Sequence, residues 1–137
     1  MYHHILIAIA HEPGLEPASS LSVAKSLAAP DAEVTLLHVM EPAPVFALSY
    51  MPEGWQRDLR AAIATEMGIL AKQFPKAQVV VTEGEAARDI LDHAELHGVD
   101  CIILTSHRPG TRGLFLGSTA SKVVNRAQCA VHVARPA

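Results

Sequence analysis

Apolar positions along the chain follow two rhythms. Residues 5–10, 34–39, 78–82 and 101–104, together with Ala130–Ala134, are short runs that are almost continuously apolar or β-branched. Such runs suit strands covered on both faces. Between them, apolar residues recur at helical spacing. Leu21, Ala24, Leu27 and Ala28 share one face of a helix opened by Pro17 and ended by Pro30. Trp55, Leu59, Ile63, Met67, Leu70 and Phe74 form the buried stripe of the longest helix, which Pro75 stops. Ile90, Leu91 and Ala94 mark a third helix ending near Gly98, and residues 119–126 a fourth. Strands alternating with helices imply right-handed crossovers and a parallel sheet with helices on both sides. Ligands of such sheets sit beyond the carboxyl ends of the strands, where strand order reverses. The loops after Ala10, Val39 and Ser106 are therefore the first places to look.

One connection breaks both rhythms. Residues 41–54 carry Pro42, Pro44 and Pro52 and are expected to resist regular structure. Val45, Phe46, Leu48, Tyr50 and Met51 make this segment unusually apolar, suited to covering a ligand or packing against another subunit. A second stretch organises the chain: Thr105-Ser106-His107-Arg108-Pro109-Gly110-Thr111-Arg112-Gly113-Leu114-Phe115-Leu116-Gly117-Ser118. It joins the fourth strand to the last helix. Its glycines let the backbone approach a ligand, and the N–H groups at the helix start can meet a phosphate. Ser118 is the expected N-cap. An ordinary crossover loop with a capped helix would show the same residues.

The chain has 137 residues, enough for one domain over its full length. Half the residues are hydrophobic, yet no apolar run reaches the length of a membrane span. Met1-Tyr2-His3-His4-Ile5 lacks the segments of a secretory signal, so a cytoplasmic location is expected. Cys101 and Cys129 form no disulfide framework or metal-type spacing and read as reduced core cysteines. A formal charge of −3 argues against nucleic acid as the principal partner.

Over its whole length the chain resembles the universal stress protein family. The carriers are the opening strand, Leu36-Leu37-His38-Val39, Glu83-Gly84, and Leu116-Gly117-Ser118 followed by Lys122-Val123-Val124 and Val131-His132-Val133. Ser106-His107-Arg108-Pro109 resembles the single-domain bacterial branch lettered F and G. The resemblance implies a doubly wound five-stranded parallel sheet, order 3-2-1-4-5, with about four helices. It implies adenine nucleotide, ATP or AMP with or without Mg2+, held across the ends of strands 1, 2 and 4. The implied contacts are Ala8, Ile9 and Ala10, Val39, Thr105, Ser106, His107 and Arg108, and then Leu116, Gly117, Ser118 and Thr119. It also implies a homodimer formed through the edge strand Ala130–Ala134, bringing His132 near its mate. Three departures stand out. Thr105 and Arg108 replace glycines of the family's ATP motif, the loop from Arg108 to Gly117 is one residue short, and Ala10 replaces an aspartate that contacts adenosine.

The remaining polar residues admit two readings each. Arg108 and Arg112 have the geometry to clamp phosphate oxygens, or they are solvated loop charges. His107 beside them suits a base or phosphate, or a backbone-satisfied loop. Asp89, His93 and His97 fall at i, i+4 spacing and could line a helix edge for a metal, but that pattern is common on exposed faces, and no metal is expected. His97 near Gly98 also suits a helix C-terminus. His3 and His4 are expected to be solvated. No nucleophile triad, paired carboxylates or Walker-type motif appears, and Glu12 and Glu41 are the only carboxylates near the site that could serve a Mg2+-bound water. The expected function is nucleotide binding as a switch or interaction module, not catalysis. The alternative is a dimeric interaction module of the same fold that binds no nucleotide.

Overall fold

A central strand, β1 (Tyr2–Ala8), is flanked on one side by β2 (Ala28–Met40) and β3 (Ala77–Glu83), and on the other by β4 (Cys101–Thr105) and β5 (Ala130–Ala134). All pairings are parallel, and the order is β3-β2-β1-β4-β5. The computed structural model describes residues 1–10, 17–105 and 117–135. The helices among them are α1 (Ala18–Leu27), α2 (Val45–Leu48), α3 (Trp55–Ala71), α4 (Ala86–Leu96) and α5 (Ser118–Arg126). The expected sheet order is therefore met. The four long helices match the expected number, and the single turn of α2 makes a fifth.

The sheet divides the interior into two cores. Ile5 and Ile7 of β1 point to one face, with Leu21 and Ala24 of α1 and Ile63 and Met67 of α3. Leu6 points to the other, with Ile90 and Ala94 of α4 and Val123 of α5. Alternating side chains of a strand buried on both faces must all be apolar, which is why the run showed no polar alternation.

Several boundaries differ from expectation. β1 starts at Tyr2, so His4 is not solvated: it is 8% exposed and bonded on both sides of its ring. Its Nδ1–H donates to the His97 carbonyl at 3.1 Å, and its Nε2 accepts from the fully buried Thr35 hydroxyl at 2.9 Å. Gln78 Nε2 donates in turn to Thr35 Oγ1 at 3.0 Å. The Asp100 carboxylate accepts from the His3 and His4 N–H groups at 2.9 and 3.0 Å, fastening β1 to the entry of β4. Ala28 belongs to β2 rather than to the helix, because it pairs with Tyr2 across an irregular register. The segment 41–54 contains α2, since Pro44 at its N-cap withholds no N–H that the turn needs. On α3, Ile63 and Met67 are buried, as is Phe74 just beyond the helix end at Ala71, whereas Trp55 is half-buried and Leu59 is 37% exposed. The first turns of α3 therefore overhang the core.

Candidate functional site

Strand register places the expected contact residues at one end of the sheet. Ile7 pairs with Leu36 on one side and Ile103 on the other, so two residues further on Ile9 is level with His38 and Thr105. Ala8 closes β1 and is half-buried, as is Ile9, and Ala10 is exposed. The Ile9 N–H donates to the Leu37 carbonyl at 2.8 Å, and the Ile9 carbonyl accepts from His38 Nδ1–H at 2.7 Å. Because a carbonyl cannot donate, this bond sets the proton on Nδ1. His38 thus holds the exit of β1 in place, a role that its position inside an apolar strand motif did not reveal.

Val39 follows directly. The Leu37 carbonyl faces β1, and the Met40 carbonyl faces β3, where it accepts from the Gly84 N–H at 2.9 Å. Peptide groups alternate sides along a strand. Those of half-buried Val39 therefore turn toward β1 at a level beyond its last strand residue.

Thr105, at the end of β4, is half-buried, and its hydroxyl lies 2.7 Å from Ser20 Oγ of α1. Ser20 is fully buried and was not singled out by sequence. Thr105 is thus tied to a helix, where the family motif has a bare glycine.

The N-cap of α5 is Gly117, not Ser118, which is the first helical residue and exposed. Gly117 takes extended backbone angles, and its carbonyl accepts from the Ser121 N–H. No side chain of the N-cap covers the first turn, and that turn contains no acidic residue. Thr119 is half-buried beside it. The contrast is α4, where the N-cap Glu85 accepts from the Ala87 and Arg88 N–H groups at 3.3 and 2.9 Å. The Arg88 N–H, opposed by partial desolvation and aided by the Lys122 ammonium 3.5 Å away, holds the Glu85 carboxyl below the usual glutamate range. Lys122 of α5 is thereby linked to the start of α4.

Ser106, His107, Arg108 and Leu116, with Arg112 and Glu12, lie outside the described residues. Asp89 accepts from the Thr82 hydroxyl at 3.0 Å, and a Cβ at Gly84 would stand 2.9 Å from Asp89 Oδ2. It therefore serves the β3–α4 turn. His93 and His97 stack with ring centroids 4.1 Å apart, and His97 is the C-cap of α4, as its place before Gly98 suggested. No group of three or more metal-ligating side chains occurs among the described residues.

A parallel sheet with its order reversing at β1 defines a doubly wound α/β protein. The chain belongs to the universal stress protein family, whose model matches residues 1–135. The universal stress protein YxiE of Bacillus subtilis is 31% identical over 150 residues, covering 98% of this chain and 100% of its own. Among solved structures, the hypothetical protein MJ0577 superposes with a TM-score of 0.81 at 24% identity, covering 100% of this chain and 98% of that one. A universal stress protein in complex with cAMP gives 0.70 at 16% identity over 98% and 97% of the two chains. A family protein of Arabidopsis thaliana with AMP bound gives 0.65 at 16% identity over 98% and 92%. At these identities the structural likeness establishes the fold. Among the described residues, no helix is long and apolar enough to cross a membrane.

Proposed function

We propose that this protein is a cytoplasmic stress-response protein that binds adenine nucleotide, ATP or AMP with or without Mg2+, and works as a switch or interaction module, not a catalyst. The observation that carries the reading is the start of α5. Gly117 leaves the first N–H groups of that helix without a carboxylate cap, at the sheet edge where Val39 turns its peptide groups past β1. Helix N–H groups favour an anion there, and backbone groups of Val39 suit the edge of a base. The AMP and cAMP complexes of structural neighbours support the choice of nucleotide. In this reading Ala8, Ile9 and Ala10 border the ribose, and Ser118 and Thr119 hydroxyls join Gly117 at the phosphates. Bound nucleotide would favour one state of the protein and so alter partner choice.

Calorimetry tests this directly. AMP and ATP are titrated, with and without Mg2+, into wild type and Gly117→Val. Saturable heat is expected from wild type, weakened in the variant by roughly 1.5–3 kcal/mol for a lost contact to charged phosphate. Folded wild type giving no heat with either nucleotide overturns the reading.

Thr105 favours a second reading, an interaction module without nucleotide, because its side chain occupies the place of a family glycine and is tied to Ser20. Native mass spectrometry of freshly purified protein separates the two. In both readings the protein is a homodimer through β5, which among the described residues pairs with β4 alone and exposes His132. Sedimentation of wild type and Val131→Pro checks this: wild type should sediment as a dimer and the folded proline variant as a monomer.

A further inference from the structure

At the opposite, amino-terminal edge of the sheet, a half-open cavity of about 250 Å³ lies between the ends of α4 and α5. Its floor is apolar: Leu91 and Ala94 of α4, Val99, and Ile102 of β4. Two opposite charges also line it, Glu95 in the last turn of α4 and Arg126 at the end of α5. Among the described residues, neither forms an ion pair with the other or with any third group. An unpaired carboxylate in the last helical turn meets the negative end of the helix dipole, which favours a cation beside it. Arg126 offers the planar fork that matches a carboxylate.

We infer that this cavity binds a small zwitterion with an apolar tail, of the class of a branched aliphatic α-amino acid. The ligand's ammonium would meet Glu95, its carboxylate Arg126, and its side chain the apolar floor. The volume falls below the roughly 300–1,000 Å³ of sites for drug-sized ligands, so the occupant is small. The pairing of charges sets the class. A simple amine would leave Arg126 unanswered, and a simple acid would place two carboxylates together. The half-buried Cys129 thiol also lines the cavity and gives an independent report of occupancy. The site shares no residue with the carboxyl-edge crevice.

The experiment titrates L-leucine into the full-length protein by NMR, beside isoamylamine, which lacks the carboxylate, and 4-methylpentanoate, which lacks the ammonium. The same titrations are run on Glu95→Gln and Arg126→Gln, both at exposed positions where the fold is retained. Leucine should bind saturably, and losing either ligand charge or either side-chain charge should weaken binding about tenfold or more. Saturating leucine should slow alkylation of Cys129 by iodoacetamide. No saturable binding of leucine up to ~10 mM, equal binding of the amine or the acid, a loss in only one variant or in neither, or alkylation slowed by AMP and not by leucine would each overturn the inference.

Discussion

Ser20 Oγ of α1 and Thr105 Oγ1 of β4 lie 2.7 Å apart, across 85 residues of sequence. Ser20 has no exposure to water, so its hydroxyl depends on this partner for the bond that water would otherwise supply. The pair fixes the first helix over the end of the fourth strand, beside the proposed nucleotide crevice.

Thr105→Val should therefore destabilise the protein by about 1–3 kcal/mol, the cost of orphaning a buried hydroxyl. Ser20→Ala should cost less alone, since Thr105 is half-buried and retains access to water. The double variant should be clearly less destabilised than the sum of the two. Urea unfolding of all four proteins measures that coupling, and additive losses would place no bond between the hydroxyls.

Gly68 sits inside α3, and a Cβ built there meets nothing within 4 Å. Gly68→Ala should stabilise the protein by about 0.5–1 kcal/mol, through helix propensity alone. A raised urea midpoint with unchanged slope is the expected result.

His93 titrates below an ordinary histidine value near 6.5, because burial disfavours its charged form and His97 and His4 add like charge. Its Nε2 is buried and has no hydrogen-bond partner among the described residues. The folded state therefore binds the proton less readily than the unfolded chain. Stability should be at its plateau above about pH 6.5 and fall as the pH drops from there toward the depressed folded value. His93→Gln should flatten that slope in thermal melts taken from pH 7.5 to 5.

Cys101 is 1% exposed, and burial pushes its thiol up to about 11. Burial raises the Cys129 thiol as well, but that residue is only partly covered. The two belong to opposite faces of the sheet, Cys101 to the core under α1 and α3 and Cys129 to the core under α4 and α5. Mild oxidation of the folded protein should form no intramolecular disulfide. A thiol reagent should label Cys129 slowly and Cys101 only on unfolding, as mass spectrometry of the peptides would record.

The two-sided core was legible because apolar runs such as Ile5-Leu6-Ile7 leave no polar face, whereas the strand order came from the family resemblance. His4 was misplaced because its polarity moved the expected start of β1 to Ile5, while the partners that bury it, Thr35, His97 and Asp100, lie far along the chain. Pro30 suggested a helix stop, yet β2 already runs through it, because the pairing of Ala28 with Tyr2 is a tertiary matter. At the site, glycine took the cap expected of Ser118, since both residue types suit that position and only the backbone decides. Ser20 carried no signal, and His38 only that of the strand motif it belongs to. Each acts through a bond to a residue remote in sequence.

The central place of β1 also bears on how the chain is made. Synthesis runs from the amino terminus, so β1 emerges before the other four strands and meets β2 ahead of β4. Its other flank belongs to β4, which begins only at Cys101. Until β4 is made, a nascent chain therefore carries an apolar strand with one raw side. The Asp100 carboxylate, which grips the His3 and His4 amides just before β4 begins, is a polar latch on that side. Arrest of the ribosome before residue 100 should yield a sticky intermediate, and release a few tens of residues later, once β4 has cleared the exit tunnel, a quiet one.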